Sequence, residues 1–212
     1  MELRKTNRTL NNRFSMNRSK TNAMKTVVIT LCLWMSALVL QAANPVRLTQ
    51  GDPSVFHQEG TVYVVIDDHT TLIDRTDQTA DVYYGNKSEA EYQKFLEDVD
   101  RGHASFITYF NEKHPGQTLL TMSDVEEQAT YILQVNVSLM NVGNAGGMIW
   151  GMSRKAGGAL INGTMQLLDK ETGEVLCEFE FEKVKGLMAP VFQARVISVY
   201  RYLADGLLKA IQ

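Results

Sequence analysis

Cysteine is nearly absent, with only Cys32 and Cys177 in the chain. Cys32 lies inside an apolar leader, so once that leader is removed no internal disulfide can form and the fold must rest on its own core. No apolar run reaches the ~20 residues that a membrane-spanning helix requires. No GxxxxGK[ST] loop, HExxH pair or paired metal spacing of histidines occurs, and Ser153 sits in Gly151-Met152-Ser153-Arg154-Lys155, which lacks the second glycine of a nucleophile elbow. No cofactor is implied. Neither an internal repeat nor a linker divides the chain.

The amino terminus supplies what composition hides. Arg18, Lys20 and Lys25 precede the apolar run Val27–Leu40, which closes on Gln41-Ala42-Ala43-Asn44-Pro45. A basic flank, a short uncharged core and small residues at its exit form the pattern of a secretory signal peptide over residues 1–43, cleaved after Ala42 or Ala43. The basic leader is long, which makes Met16 or Met24 the candidate true start. Cys32 lies within the apolar core rather than at its end, which argues against lipidation. Removing seven basic residues and Glu2 leaves 14 basic against 23 acidic residues, a net charge of −9. That sign disfavours nucleic acid and anionic lipid headgroups as partners. The expected destination is the periplasm or the exterior, with no stable membrane insertion of the processed chain.

Residues 44–212 suffice for one ordinary domain. The clearest pattern runs from Gly157 to Gly186. Ile161, Met165 and Leu167 share one parity; after the connector Asp169-Lys170-Glu171-Thr172-Gly173, so do Val175, Cys177, Phe179 and Phe181. Glu178, Glu180 and Glu182 take the other parity as a wet row. This predicts two antiparallel strands with one buried face, joined by a turn whose glycine adopts φ > 0. Val46–Leu48, Ser54–Phe56 and Leu119–Met122 read as short strands. Thr61–Ile66 reads as a central strand covered on both faces, and Ala129–Val142 as a long strand with Tyr131, Leu133, Val135, Val137 and Leu139 on one side.

Ser88-Glu89-Ala90-Glu91 is a capping box opening a helix with the stripe Tyr92, Phe95, Leu96, Val99, Phe106, Ile107 and Phe110. Pro115 ends it, and Gly102 is expected to soften or divide it. A second helix carries Phe192, Val196, Val199, Leu203, Leu207 and Ile211, with Arg195, Arg201, Asp205 and Lys209 on other sides. The fold class is therefore α+β: a two-layer sandwich, a largely antiparallel sheet with two long amphipathic helices on one face.

Candidate chemistry is sparse. Asp67, Asp68, His69 and Asp74 lack the regular acidic spacing of a Ca²⁺ loop and read as a polar strand end facing water. Cys177 falls on the apolar parity and reads as core. His103 reads as a helix-surface residue; His57, His69 and His114 show no ligand spacing. Residues 67–87 are not otherwise legible. The glycine-rich connection 143–158 carries Met148, Ile149, Trp150 and Met152, either folded onto the core or exposed as a contact for a partner.

The run Ala156-Gly157-Gly158, then Gly163-Thr164, Asp169-x-x-Thr172-Gly173-Glu174-Val175 and Val184-Lys185-Gly186 resembles a group of uncharacterised secreted α/β proteins of gut anaerobic bacteria. The order of elements is similar, more distantly, to bacterial envelope domains of unknown function. The resemblance implies an exported domain and transfers no catalytic residue. The functional expectation is a non-enzymatic envelope or secreted module that binds a protein, a glycan or a small ligand. The alternative is a secreted hydrolase with dispersed catalytic residues.

Overall fold

The computed structural model describes residues 44–122, 129–143 and 157–212. The leader 1–43, Ser153 and the candidate contact residues Met148, Ile149, Trp150 and Met152 lie outside the described residues. Among the described residues, eight strands form one sheet. These are β1 (Val46–Gly51), β2 (Gly60–Asp67), β3 (Leu72–Ile73), β4 (Gln78–Thr79), β5 (Thr118–Thr121), β6 (Tyr131–Asn141), β7 (Leu160–Asp169) and β8 (Val175–Lys185). Three α-helices accompany them: α1 (Ala80–Gly85), α2 (Glu89–Lys113) and α3 (Phe192–Ala210).

The strand order is β1-β8-β7-β6-β2-β5, with β3 continuing beside β6 and β4 pairing with β3. Along β1-β8-β7-β6 each strand is antiparallel to its neighbour, while β2 runs parallel to both β5 and β6. The architecture is α+β, a mostly antiparallel sheet whose two long helices, α2 and α3, pack against each other over one face. Phe179 and Leu203, one from each layer, are both fully buried.

The hairpin forms as its alternation dictates. Ile161, Met165, Leu167, Cys177, Phe179 and Phe181 face the helices, and Thr164, Glu180 and Glu182 face water. Asp169 Oδ1 accepts hydrogen bonds from the amides of Glu171 and Thr172 at 3.0 and 2.8 Å, and Gly173 turns the chain at φ 70. A glycine is needed there because that backbone region disfavours a Cβ.

Several expectations require correction. Ser54–Phe56 lies in a 3-10 helix (Pro53–His57) rather than a strand, because Pro53 occupies its first turn and Asp52 caps it. β2 is central but covered on one face only: Val62 and Val64 are buried, while Val65 is 42% exposed. A bulge between Val137 and Leu139 flips the parity of β6, so Met140, not Leu139, reaches the core. A register shift next to Leu176 likewise leaves Val175 outside the buried set.

Gly102 neither softens nor divides α2, which runs unbroken for 25 residues. It lies hard against α3: a Cβ there would stand 2.5 Å from Tyr200 Cδ2. Arg195 is buried, not turned outward. Its guanidinium donates to the carbonyls of Val142, Ala189 and Pro190 at 3.0, 2.8 and 3.2 Å, tying the start of α3 to the end of β6. Residues 67–87, illegible in sequence, hold β3, β4 and α1. Among the described residues no helix is long and apolar enough to cross a membrane.

Candidate functional site

The polar cluster after β2 comes apart in three dimensions. Asp67 closes its own turn by accepting from the His69 amide at 3.0 Å, and exposed His69 stands 3.3 Å from Asp81. Asp74 accepts from Asn141 Nδ2 at 2.7 Å. Asp68 does the opposite of facing water. It turns inward, where its Oδ2 lies 2.5 Å from His103 Nε2 and its Oδ1 accepts from the Tyr200 hydroxyl at 2.7 Å.

Asp68, His103 and Tyr200 are all buried, which corrects the expectation that His103 is a surface residue. The His103 and Tyr200 rings also meet edge to face, with centroids 4.9 Å apart. Burial, reinforced by the Asp68 carboxylate, pushes the Tyr200 phenol well above its usual range. A phenol so held stays a donor at any physiological pH. The arrangement joins a loop of the sheet to both long helices through a carboxylate whose two oxygens are each engaged. Sequence could not reveal it, because its members are 35 and 132 residues from Asp68.

The remaining expected residues are engaged in the fold. Cys177 is fully buried, and burial pushes its thiol up to about 12. His57 Nε2 lies 2.8 Å from the Ile211 carbonyl and His114 Nε2 2.7 Å from the Phe56 carbonyl, so these two histidines fasten the 3-10 turn to the ends of α3 and α2. Among the described residues no group of three or more His, Cys, Asp or Glu is placed to hold a metal ion.

The candidate surface is the sheet face opposite the helices. Across β6, β7 and β8 it carries a shallow polar groove of about 430 Å³ lined by Asn136, Ser138, Asn162, Thr164, Glu180 and Glu182. Two backbone distortions flank its centre. The β6 bulge brings Ser138 Oγ to donate to the Asn162 carbonyl at 3.3 Å. On the other side Lys183, held at φ 54, donates its amide to Asn162 Oδ1 at 2.7 Å. Bulges of this kind turn a side chain away from its alternating position.

The glutamate row is wet, as its parity predicts. Glu178 accepts from Gln166 at 2.9 Å and Glu180 from Arg47 at 3.1 Å. Glu182 pairs with Lys183, which holds its carboxyl below the usual range. Towards β5 the same face becomes apolar, with Leu119 54% and Val65 42% exposed. At the other end Gly143 and Gly157 come together so closely that a Cβ on Gly143 would stand 2.5 Å from the Gly157 carbonyl oxygen.

No family model matches the chain, and no curated protein matches it. Distant structural similarity links it to solved bacterial proteins. The PelC dodecamer from Paraburkholderia phytofirmans aligns at 11% identity and a TM-score of 0.40, covering 75% of this chain and 96% of that one. Protein XCC0632 from Xanthomonas campestris aligns at 13% identity and a TM-score of 0.40, covering 75% and 85%. A putative neuraminyllactose-binding hemagglutinin homolog from Helicobacter pylori aligns at 11% identity and a TM-score of 0.32, covering 77% and 88%.

Proposed function

We propose that this chain is an exported envelope module that acts by docking a partner protein on its open sheet face, rather than by turning over a substrate. The signal-peptide pattern of residues 1–43 supports export to the periplasm or beyond. The observation that carries the docking reading is the one-sided coverage of the sheet. α2 and α3 occupy one face, and the other presents exposed Val65 and Leu119 beside a polar groove.

Size favours a protein over a glycan on this surface. Strands about 4.8 Å apart, rising about 3.3 Å per residue and 4 to 11 residues long, give the six strands β1, β8, β7, β6, β2 and β5 a face of roughly 800 Å², the area one partner contributes to an ordinary protein interface. The groove takes up only part of this face, and exposed Val65 and Leu119 extend it well beyond the footprint of a small ligand. The segment between Gly143 and Gly157 joins β6 to β7 at the groove end, and its Met148, Ile149, Trp150 and Met152 are the proposed apolar anchors.

Capture from the native cell envelope tests this. Replacing Ile149 and Trp150 together by serine abolishes recovery of the partner with the melting temperature nearly unchanged. A large fall in melting temperature, or recovery of an uncleaved chain from the cytosol, overturns it.

A further inference from the structure

The main path of the sheet ends on β1 at one side and on β5 at the other, and the two edges are guarded differently. Unpaired N–H and C=O groups along an edge strand are a template for a further strand, and proteins suppress that pairing with charge, proline or a bulge. β1 has all three: Arg47 within it, Pro45 just before it and a break in register between Leu48 and Gln50. Apart from being short, β5 has none of these safeguards. Its sequence, Thr118-Leu119-Leu120-Thr121, is uncharged, free of proline and in unbroken register with β2. Leu119 is also 54% exposed on the open side of the sheet.

What closes β5 comes from the helical layer. Asn111, near the end of α2, donates from Nδ2 to the Leu120 carbonyl at 2.9 Å and accepts at Oδ1 from the Leu120 amide at 2.9 Å. The N–H and C=O of one strand residue point to the same side, and those that Asn111 takes are the ones turned away from β2. A primary amide offers an acceptor and a donor side by side. It therefore reproduces the two hydrogen bonds that one residue of an added strand would make with Leu120. Asn111 stands where that strand would lie.

Without that amide the edge is self-complementary. Two residues facing each other in an antiparallel ladder exchange both of their hydrogen bonds at alternate positions. Leu120 set against the same residue of a second copy, across a two-fold axis, satisfies both groups on each chain. The axis also brings the two exposed Leu119 side chains diagonally together on one face, an apolar contact with no like charges opposed. A copy of this chain carries the whole match already.

We infer that the β5 edge is a strand-pairing site for a second copy of this chain, and that Asn111 holds it shut as a side-chain plug. The inference concerns the rim of the sheet and is separate from docking of a partner on its open face.

Sedimentation velocity of the processed protein tests this. Asn111 lies inside a helix, where alanine is the more favourable residue, so Asn111→Ala keeps α2. Its mass climbs towards twice the parent's as concentration rises. Adding Leu119→Lys returns the mass to the parent's, because like charges then meet across the axis. Asn111→Ser, too short to reach both Leu120 groups, shows the same doubling and serves if Asn111→Ala does not fold. A nitroxide on Leu119→Cys labels this edge alone, since Cys177 is buried, and its inter-copy dipolar signal appears in Asn111→Ala and not in the parent. An unchanged mass in the Asn111 variants, or a doubled mass that Leu119→Lys leaves in place, overturns the proposal. So does a parent whose label already gives that signal, since Asn111 would then close nothing. Loss of the fold in both Asn111 variants overturns it too, by making Asn111 a residue of the fold rather than of its edge.

Discussion

Gly102 of α2 lies directly against the ring of Tyr200 of α3, so that a methyl group at Gly102 would stand 2.5 Å from Tyr200 Cδ2 and 3.1 Å from Val196 Cγ1. Two long helices approach this closely only where one of them carries no side chain. The same contact seats the Tyr200 hydroxyl on Asp68.

In an exposed helix, glycine to alanine would stabilise by up to about 1 kcal/mol. At this position overpacking costs about 1–3 kcal/mol and wins. Gly102→Ala therefore lowers the stability measured by urea unfolding by about 1–2 kcal/mol. An unchanged or raised midpoint would show that α2 and α3 do not pack as described.

Asp68 accepts from two buried donors, so removing it costs more than losing one bond. Asp68→Ala destabilises by about 3 kcal/mol, and Tyr200→Phe by about 1–3 kcal/mol. A double-mutant cycle between the two shows coupling of about 1 kcal/mol or more. Additive losses would mean the contact carries no net energy.

The Cys177 thiol resists alkylation by iodoacetamide in the folded protein and reacts on unfolding, because it is fully buried. Its protonated form is the one the core accepts. The contribution to stability is fully present below the ordinary value of 9.0 and is lost as pH climbs from there through about 12. Denaturant midpoints taken across that window fall in the parent and fall less in Cys177→Ala.

At the β7–β8 turn the backbone and side-chain hydrogen bonds of Thr172 hold the Asp169 carboxyl below its usual range. A depressed carboxylate stabilises above its unfolded value and loses that contribution as pH falls through the folded one. Protection of the Thr172 and Gly173 amides, measured against their intrinsic exchange rates at each pH, therefore falls in acid and in Asp169→Ala. Equal exchange in parent and variant would show the turn is held by its glycine alone.

What was legible in the sequence follows the reach of each interaction. The hairpin was plain because Asp169, Gly173 and the alternating Met165, Leu167, Cys177 and Phe179 act within a few residues of one another. The helix start at Ser88 is likewise local, its Oγ accepting the Glu91 amide at 3.2 Å. The bulges beside Ser138 and Lys183 were not legible, since no residue type compels one, and each reverses which side chains are buried. Burial of Asp68, His103 and Arg195 was missed for a second reason: a polar side chain enters a core only when distant partners wait there. The anchors Met148, Ile149, Trp150 and Met152 lie outside the described residues, so the docking proposal keeps them on sequence alone.

The most direct test of the docking face is site-specific photo-crosslinking in living cells. A photoreactive residue at Thr164, exposed in the middle of the open sheet face, is compared with one at Asp100, exposed on the outer side of α2. The account predicts a discrete crosslinked envelope protein from Thr164 and none from Asp100. Crosslinks from Asp100 alone, or none from Thr164, would contradict it.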